Sequence, residues 1–294
     1  MAENLSVESV IASLEKIGRK TDSEWADGQP DYVAEYSLTG EHIPALITTA
    51  TTCSDAPSDD PAVYAQIHAW RALAQLRAVE AVQPLLDVQE ELDERDDDWY
   101  LEEFHLVFGL IGPPAIEPLK AFLGDDTHTE FPRQKAASGL CEIAQRFPET
   151  RDEVIGILTA ELRRHGDDGG LNGALVGDLL ELQAVEAAET IERAFAANIV
   201  DPTVAGDWGD VRRDLGVSGL GLAPDKSPGW LTIRERMGFT EEPGRTDSRD
   251  AVVDPATEAR KQAQAKRKLQ DAKHKARAKR KAQKKSKKRN RKPR

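Results

Sequence analysis

Three groups of side chains in this sequence could do chemistry: six histidines, a dense run of acids and a cationic carboxy-terminal segment. His42, His68, His105, His128, His165 and His274 occur singly. His68 and His105 each precede an apolar turn of an expected helix, which suits a partly buried ring with a hydrogen bond. His128 lies in the polar stretch GDDTHTE, where a solvated ring is expected. Residues 90–103, EELDERDDDWYLEE, hold nine acids and one arginine. They lack the glycine and the ligand periodicity of an EF-hand loop, so tight calcium binding is not expected. They read as a solvated loop with acids near a helix start, where the helix dipole favours them. Docking of a basic partner is the functional alternative. Cys53 and Cys141 show no Cys-x-x-Cys or Cys/His spacing, which argues against a disulfide framework and a zinc site. Both are expected to be reduced, with Cys141 in the core. No glycine-rich phosphate loop, G-x-S-x-G elbow or Ser/His/Asp grouping appears. The expectation is therefore no catalytic residue, no metal and no cofactor.

The third group is the strongest signal. From Ala259 to Arg294 there are 19 Lys or Arg and one acid, Asp271, so the segment carries +18 and residues 1–258 carry −30 of the net −12. A stretch such as KARAKRKAQKKSKKRNRKPR cannot bury a core, so a disordered tail is expected, conditionally helical in its Ala-rich half once its charge is neutralised. Lys279, Arg280, Lys281, Lys284, Lys285, Lys287, Lys288 and Arg289 are the candidate anion-binding or nucleic-acid-binding residues. RNA, DNA or a ribosome would be held through phosphates and without base specificity, because no aromatic side chain is present for stacking. Two alternatives stay open: a solubilising tail, and an autoinhibitory one that reaches its own acidic body across a linker of residues 216–258.

The elements that must position these groups repeat. LRAVEAVQPL (residues 76–85) and LQAVEAAETI (residues 182–191) share five of ten letters. Aligning Pro84 with Pro118 places Leu76 on Leu110, Ala81 on Ala115 and Leu85 on Leu119, which supplies a further copy. A weaker one lies in AASGLCEIA and DEVIGILTAEL. Apolar stripes at helical period, such as Val63, Ile67, Trp70, Ala74 and their partners Ala81, Leu85, Val88, Leu92, predict helix, tight turn, helix in each unit. Asp60 before Pro61, Thr150 with Glu153, and Gly112 before Pro113 and Pro114 give the expected caps and breaks. No run suggests a sheet. A hairpin of this kind leaves one apolar face wet, so units of this length stack and complete one another's core. The fold class is all-α, an α-α superhelix.

The L-x-A-x-x-A-[VIA]-x-P-L pattern resembles HEAT repeats, especially the short type of phycobilisome lyase-like proteins. The order of elements ending in IERAFAANIVDPTVAGDWGDV also resembles an uncharacterised family of bacterial HEAT-like proteins. That second resemblance implies a small cysteine-rich zinc motif at the carboxy terminus, where this chain has its basic tail. The lyase resemblance implies attachment of bilin to a partner cysteine, and no residue here specifically supports it. A di-iron centre of the kind held in deoxyhypusine hydroxylase needs recurring His-Glu pairs, and no histidine here is followed by Glu.

The expected organisation is an amino-terminal helical cap (1–60), a HEAT-like solenoid with a closing helix carrying Trp208 and Val211 (61–215), the linker (216–258) and the tail (259–294). The amino terminus, MAENLSVESV, is acidic and mixed, and no segment approaches the roughly 18 apolar residues of a membrane span, so a cytoplasmic protein without membrane contact is expected. The function expected is a non-enzymatic scaffold, with a protein or peptide on a concave face lined by second helices at Gln83, Glu117 and Glu189. An accessory factor or lyase-like chaperone for bilin attachment is the alternative.

Overall fold

The computed structural model describes residues 6–18, 30–54, 60–164 and 169–217. The chain divides into two units, Met1–Arg236 and Met237–Arg294, and all described residues belong to the first. They contain helices and no strand: α1 (Val7–Ile17), α2 (Tyr32–Glu35), α3 (Ile43–Thr51), α4 (Ala65–Gln75), α5 (Val82–Asp87), α6 (Gln89–Glu94), α7 (Asp98–Ile111), α8 (Ile116–Gly124), α9 (Glu130–Arg146), α10 (Arg151–Arg164), α11 (Gly169–Glu181), α12 (Ala188–Ala196), α13 (Pro202–Ala205) and α14 (Trp208–Asp214).

Among the described residues there are six 3-10 turns, one of them Pro61–Tyr64 ahead of α4, and the other five set the register. Gly40–His42, Val79–Ala81, Pro113–Ala115, Pro148–Thr150 and Val185–Ala187 each run straight into a helix, at separations of 39, 34, 35 and 37 residues. The third residue of each turn is buried: His42, Ala81, Ala115, Thr150 and Ala187. Four positions further on, Leu46, Leu85, Leu119, Val154 and Ile191 are wholly buried. Residues 40–51 therefore share the register of the units that follow, although this stretch falls within the amino-terminal cap expected from the sequence.

Contacts arrange the helices in two layers. In one, α4 packs on α7, α7 on α9 and α9 on α11; in the other, α3, α5, α8, α10 and α12 follow in order. The layers are joined chiefly between consecutive units, through α3 with α4, α8 with α9 and α10 with α11. At one end α1 and α2 cover α4, and every residue of Ala65–Ala74 is buried. At the other end α14 packs on α12, with the Trp208 and Phe195 rings 6.1 Å apart and Val211 buried. The closing segment has two short helices where the sequence suggested one.

Local chemistry explains the boundaries. Asp60, Asp97 and Asp207 accept backbone N–H bonds at the start of their helical turns. Helices α4 and α11 end alike: Ala78 N–H bonds to Leu73 C=O and Ala184 N–H to Leu179 C=O, both at 3.0 Å, with Arg77 and Gln183 left-handed at φ 50°. Gly112, at φ 90°, closes α7, and a Cβ there would sit 2.8 Å from the Phe147 ring. Between Trp99–Ile111 and Pro113–Gly124 the chain turns by 114°. Thr150 departs from the expected capping box: its hydroxyl donates to Phe147 C=O at 2.8 Å within a 3-10 turn. Among the described residues no single helix is long and apolar enough to cross a membrane.

Leu85→Ala or Leu119→Ala is expected to cost about 2–5 kcal/mol, because each removes a wholly buried side chain shared between units. Gln183→Gly is expected to be neutral or to stabilise by up to about 1 kcal/mol, since glycine accepts the left-handed backbone without a Cβ penalty. Urea unfolding of the full chain checks both, and a loss above about 1 kcal/mol for Gln183→Gly would contradict the second.

Candidate interaction surface

Among the described residues, several of the groups able to do chemistry are committed to internal bonds. Arg71 on α4 and Glu103 on α7 form a bidentate ion pair, Nε to Oε2 at 2.8 Å and the other guanidinium nitrogen to Oε1, with both side chains almost wholly buried. Trp70 Nε1 donates to Glu103 Oε2 at 3.2 Å, and the Arg71 guanidinium lies 5.4 Å from the Trp99 ring centre. Tyr32 Oη lies 2.7 Å from His68 Nδ1, and His68 Nε2 lies 2.9 Å from Gly18 C=O. A carbonyl only accepts, so Nε2 donates to Gly18 and Nδ1 accepts the tyrosine proton. Burial, ahead of every other influence, pushes the Tyr32 hydroxyl up to about 12. Gln75 completes the attachment of this end, accepting from Tyr32 N–H at 2.8 Å and donating to Pro30 C=O at 2.9 Å.

Helix α9 repeats the pattern. Arg133 donates to Leu123 C=O at 2.8 Å and to Glu161 Oε1 at 2.9 Å, and both charged side chains are buried. Asp178 on α11 is also buried and takes a hydrogen bond from the Ser138 hydroxyl at 3.2 Å. Burial raises its carboxyl well above the usual carboxylate range, and the neighbouring Glu181 charge adds to this. The Cys141 thiol donates to Asp178 C=O at 3.5 Å and is pushed up by burial first and by Asp178 second.

The acidic run 90–103 divides. Asp93 and Glu103 are buried, while Glu91, Glu94 and Glu102 are exposed, so the stretch is two helix segments and a turn as well as a solvated patch. Glu90 accepts both the N–H and the hydroxyl of Thr129, at 2.9 and 2.7 Å. His128, expected to be solvated, stacks on Phe122 with ring centres 3.7 Å apart and faces Glu90 at 3.5 Å. Among the described residues no group of three or more His, Cys, Asp or Glu is arranged to hold a metal ion.

What remains outward is a row. Gln83, Glu117 and Glu189 are exposed at one register position, the second residue of α5, α8 and α12. Each is bonded within its own helix, to Asp87 at 2.8 Å, to Lys120 at 3.0 Å and to Arg193 respectively. The sequence reading overlooked Asp152, which holds the same position on α10 and is exposed. Aligning the 3-10 turns instead of the prolines would have revealed it. The turn edge beside this row bears Val79 and Val185, 46 % and 49 % exposed, followed by Glu80 and Glu186. Arg151 bonds Glu186 at 2.7 Å and lowers its carboxyl below the usual range. Four units thus present polar side chains, three of them carboxylates, in matching places. Lys279, Arg280, Lys281, Lys284, Lys285, Lys287, Lys288 and Arg289 lie outside the described residues.

A family model described as "Protein of unknown function (DUF1186)" matches residues 34–218. No curated protein and no solved structure matches the chain. The matched span takes in all six 3-10 turns of the described residues and ends just after α14.

Removing one member of the buried pair is expected to be severe. Glu103→Gln leaves the Arg71 charge buried without its counter-charge, at a cost of about 3–5 kcal/mol, while Arg71→Met with Glu103→Leu recovers most of the loss. Urea denaturation of the two variants checks this. A single variant as stable as the parent would contradict it.

Proposed function

The chain belongs to this DUF1186 family through residues 34–218, and we propose that it is a non-enzymatic cytoplasmic scaffold built of short HEAT-like helical repeats. Its exposed row of carboxylates serves a protein or peptide partner, and its basic segment, residues 259–294, attracts RNA, DNA or another anionic partner. The observation that carries this reading is the contrast between the two sides of one register. The buried positions keep their type from unit to unit, as Leu85, Leu119, Val154 and Ile191 do. The exposed positions Gln83, Glu117, Asp152 and Glu189 are polar and unconnected to the core, which is the condition for recognition to vary while packing stays constant. Arg71, Glu103, His68, Arg133 and Glu161 are bonded to residues of the packed body, which supports a structural part for them. The +18 segment supplies attraction to phosphates that falls steeply with salt.

Binding of the full chain and of a chain lacking residues 259–294 to a 20-nucleotide single-stranded RNA separates the two parts of the proposal. The full chain is expected to bind, with affinity falling by roughly 10³ or more between 50 and 200 mM salt, and the truncated chain is expected not to bind. Glu117→Lys, Asp152→Lys and Glu189→Lys together are expected to leave RNA binding intact and to abolish capture of a stoichiometric protein partner from nuclease-treated host extract. Capture that survives the triple substitution would overturn the surface assignment, and RNA binding by the truncated chain would overturn the role of the tail.

A further inference from the structure

Among the five buried acids of the described residues are three that meet a neighbouring helix in the body of the stack, and they are not treated alike. Glu103 of α7 meets Arg71 of α4, and Glu161 of α10 meets Arg133 of α9. Asp178 of α11, 7 % exposed, faces α9, where its side chain meets the Ser138 hydroxyl; among the described residues no cation lies within ion-pair distance of it. Its further neighbours on α9 are Cys141, Glu142 and, at longer range, Lys135; on its own helix it is Glu181. Glu142 is paired with Arg146 at 3.3 Å, and Glu181 accepts from Gln145 at 3.2 Å. Elsewhere around α11 the charged groups are engaged: Arg151 of α10 bonds the carbonyls of Leu182 and Gln183 and the carboxylate of Glu186, and Asp201 caps Thr203 ahead of α13. A charged Asp178 would bring a third carboxylate beside two others in a place with little water, whereas the neutral acid bonds to Ser138 without that repulsion.

We propose that the α9–α11 junction is a clasp operated by one proton: with the Asp178 carboxyl neutral α11 seats closely on α9, and with it charged the junction loosens and admits water. The raised carboxyl gives the direction of the effect. The closed junction holds the proton more firmly than the open one, so its stability is complete below the ordinary carboxylate value, near 4, and declines as pH rises toward the raised one. Within that window protection of α11 falls about tenfold per pH unit, and above it protection levels off.

Amide hydrogen-exchange protection factors of the full chain between pH 4.5 and 9 test this, with α4 and α7, which share the ion-paired Glu103, as the internal reference. Protection of Gly169–Glu181 is expected to decline with pH relative to the reference, and Asp178→Asn to hold it constant. Glu181→Gln, an exposed substitution compatible with folding, removes a neighbouring charge and is expected to end the decline at a lower pH. Protection of α11 that tracks the reference at every pH, a decline that persists in Asp178→Asn, or a decline unmoved by Glu181→Gln would each overturn the proposal.

Discussion

Everything in the described stack depends on one constraint: two short helices joined by a tight turn cannot dry both of their apolar faces. Helix α5 has six residues and α8 has nine, too short to hold their shape by propensity alone. Their stability comes from Leu85 and Leu119 being closed off by the preceding and following units. The small residues at Ala81, Ala115 and Ala187 are buried at the turns. The same constraint accounts for the ends. A terminal unit has no neighbour, so α1 and α2 close over α4, and Trp208 closes over α12.

Polar groups enter this scheme where apolar packing alone would leave helices free to slide. Arg71 with Glu103, and Arg133 with Glu161, fix neighbouring helices by directional bonds. Such pairs contribute less to net stability than their geometry suggests, because both ions lose their water. At α9–α11 the acid is retained and the place of the arginine is taken by the Ser138 hydroxyl.

Much of the architecture was legible in the sequence, because periodicity and punctuation are local. The stripes through Leu85 and Leu119, the Gly112–Pro113 break and the closing Trp208 all follow from spacing and residue type. The inward acids did not follow. Within residues 90–103, Asp93 and Glu103 turn inward while Glu91, Glu94 and Glu102 do not. The choice depends on helix rotation and on an arginine 32 residues away, and the local pattern of letters carries neither. The position of Asp152 in the exposed row was hidden for a simpler reason. The prolines used for alignment are absent from its unit, whereas the buried Thr150 and Val154 that define its register are ordinary residues.

The five register-setting 3-10 turns recur at unequal intervals along the chain, yet each delivers a buried pair four residues apart to the same place. Neighbouring packed helices stand about 8–10 Å apart whatever the length of chain between them. Extra residues are absorbed in loops, and the exposed marks at Gln83, Glu117, Asp152 and Glu189 keep step with the helices. The surface is thus a ruler graduated in helix diameters, and a unit could be lengthened, shortened or duplicated in evolution without changing its scale.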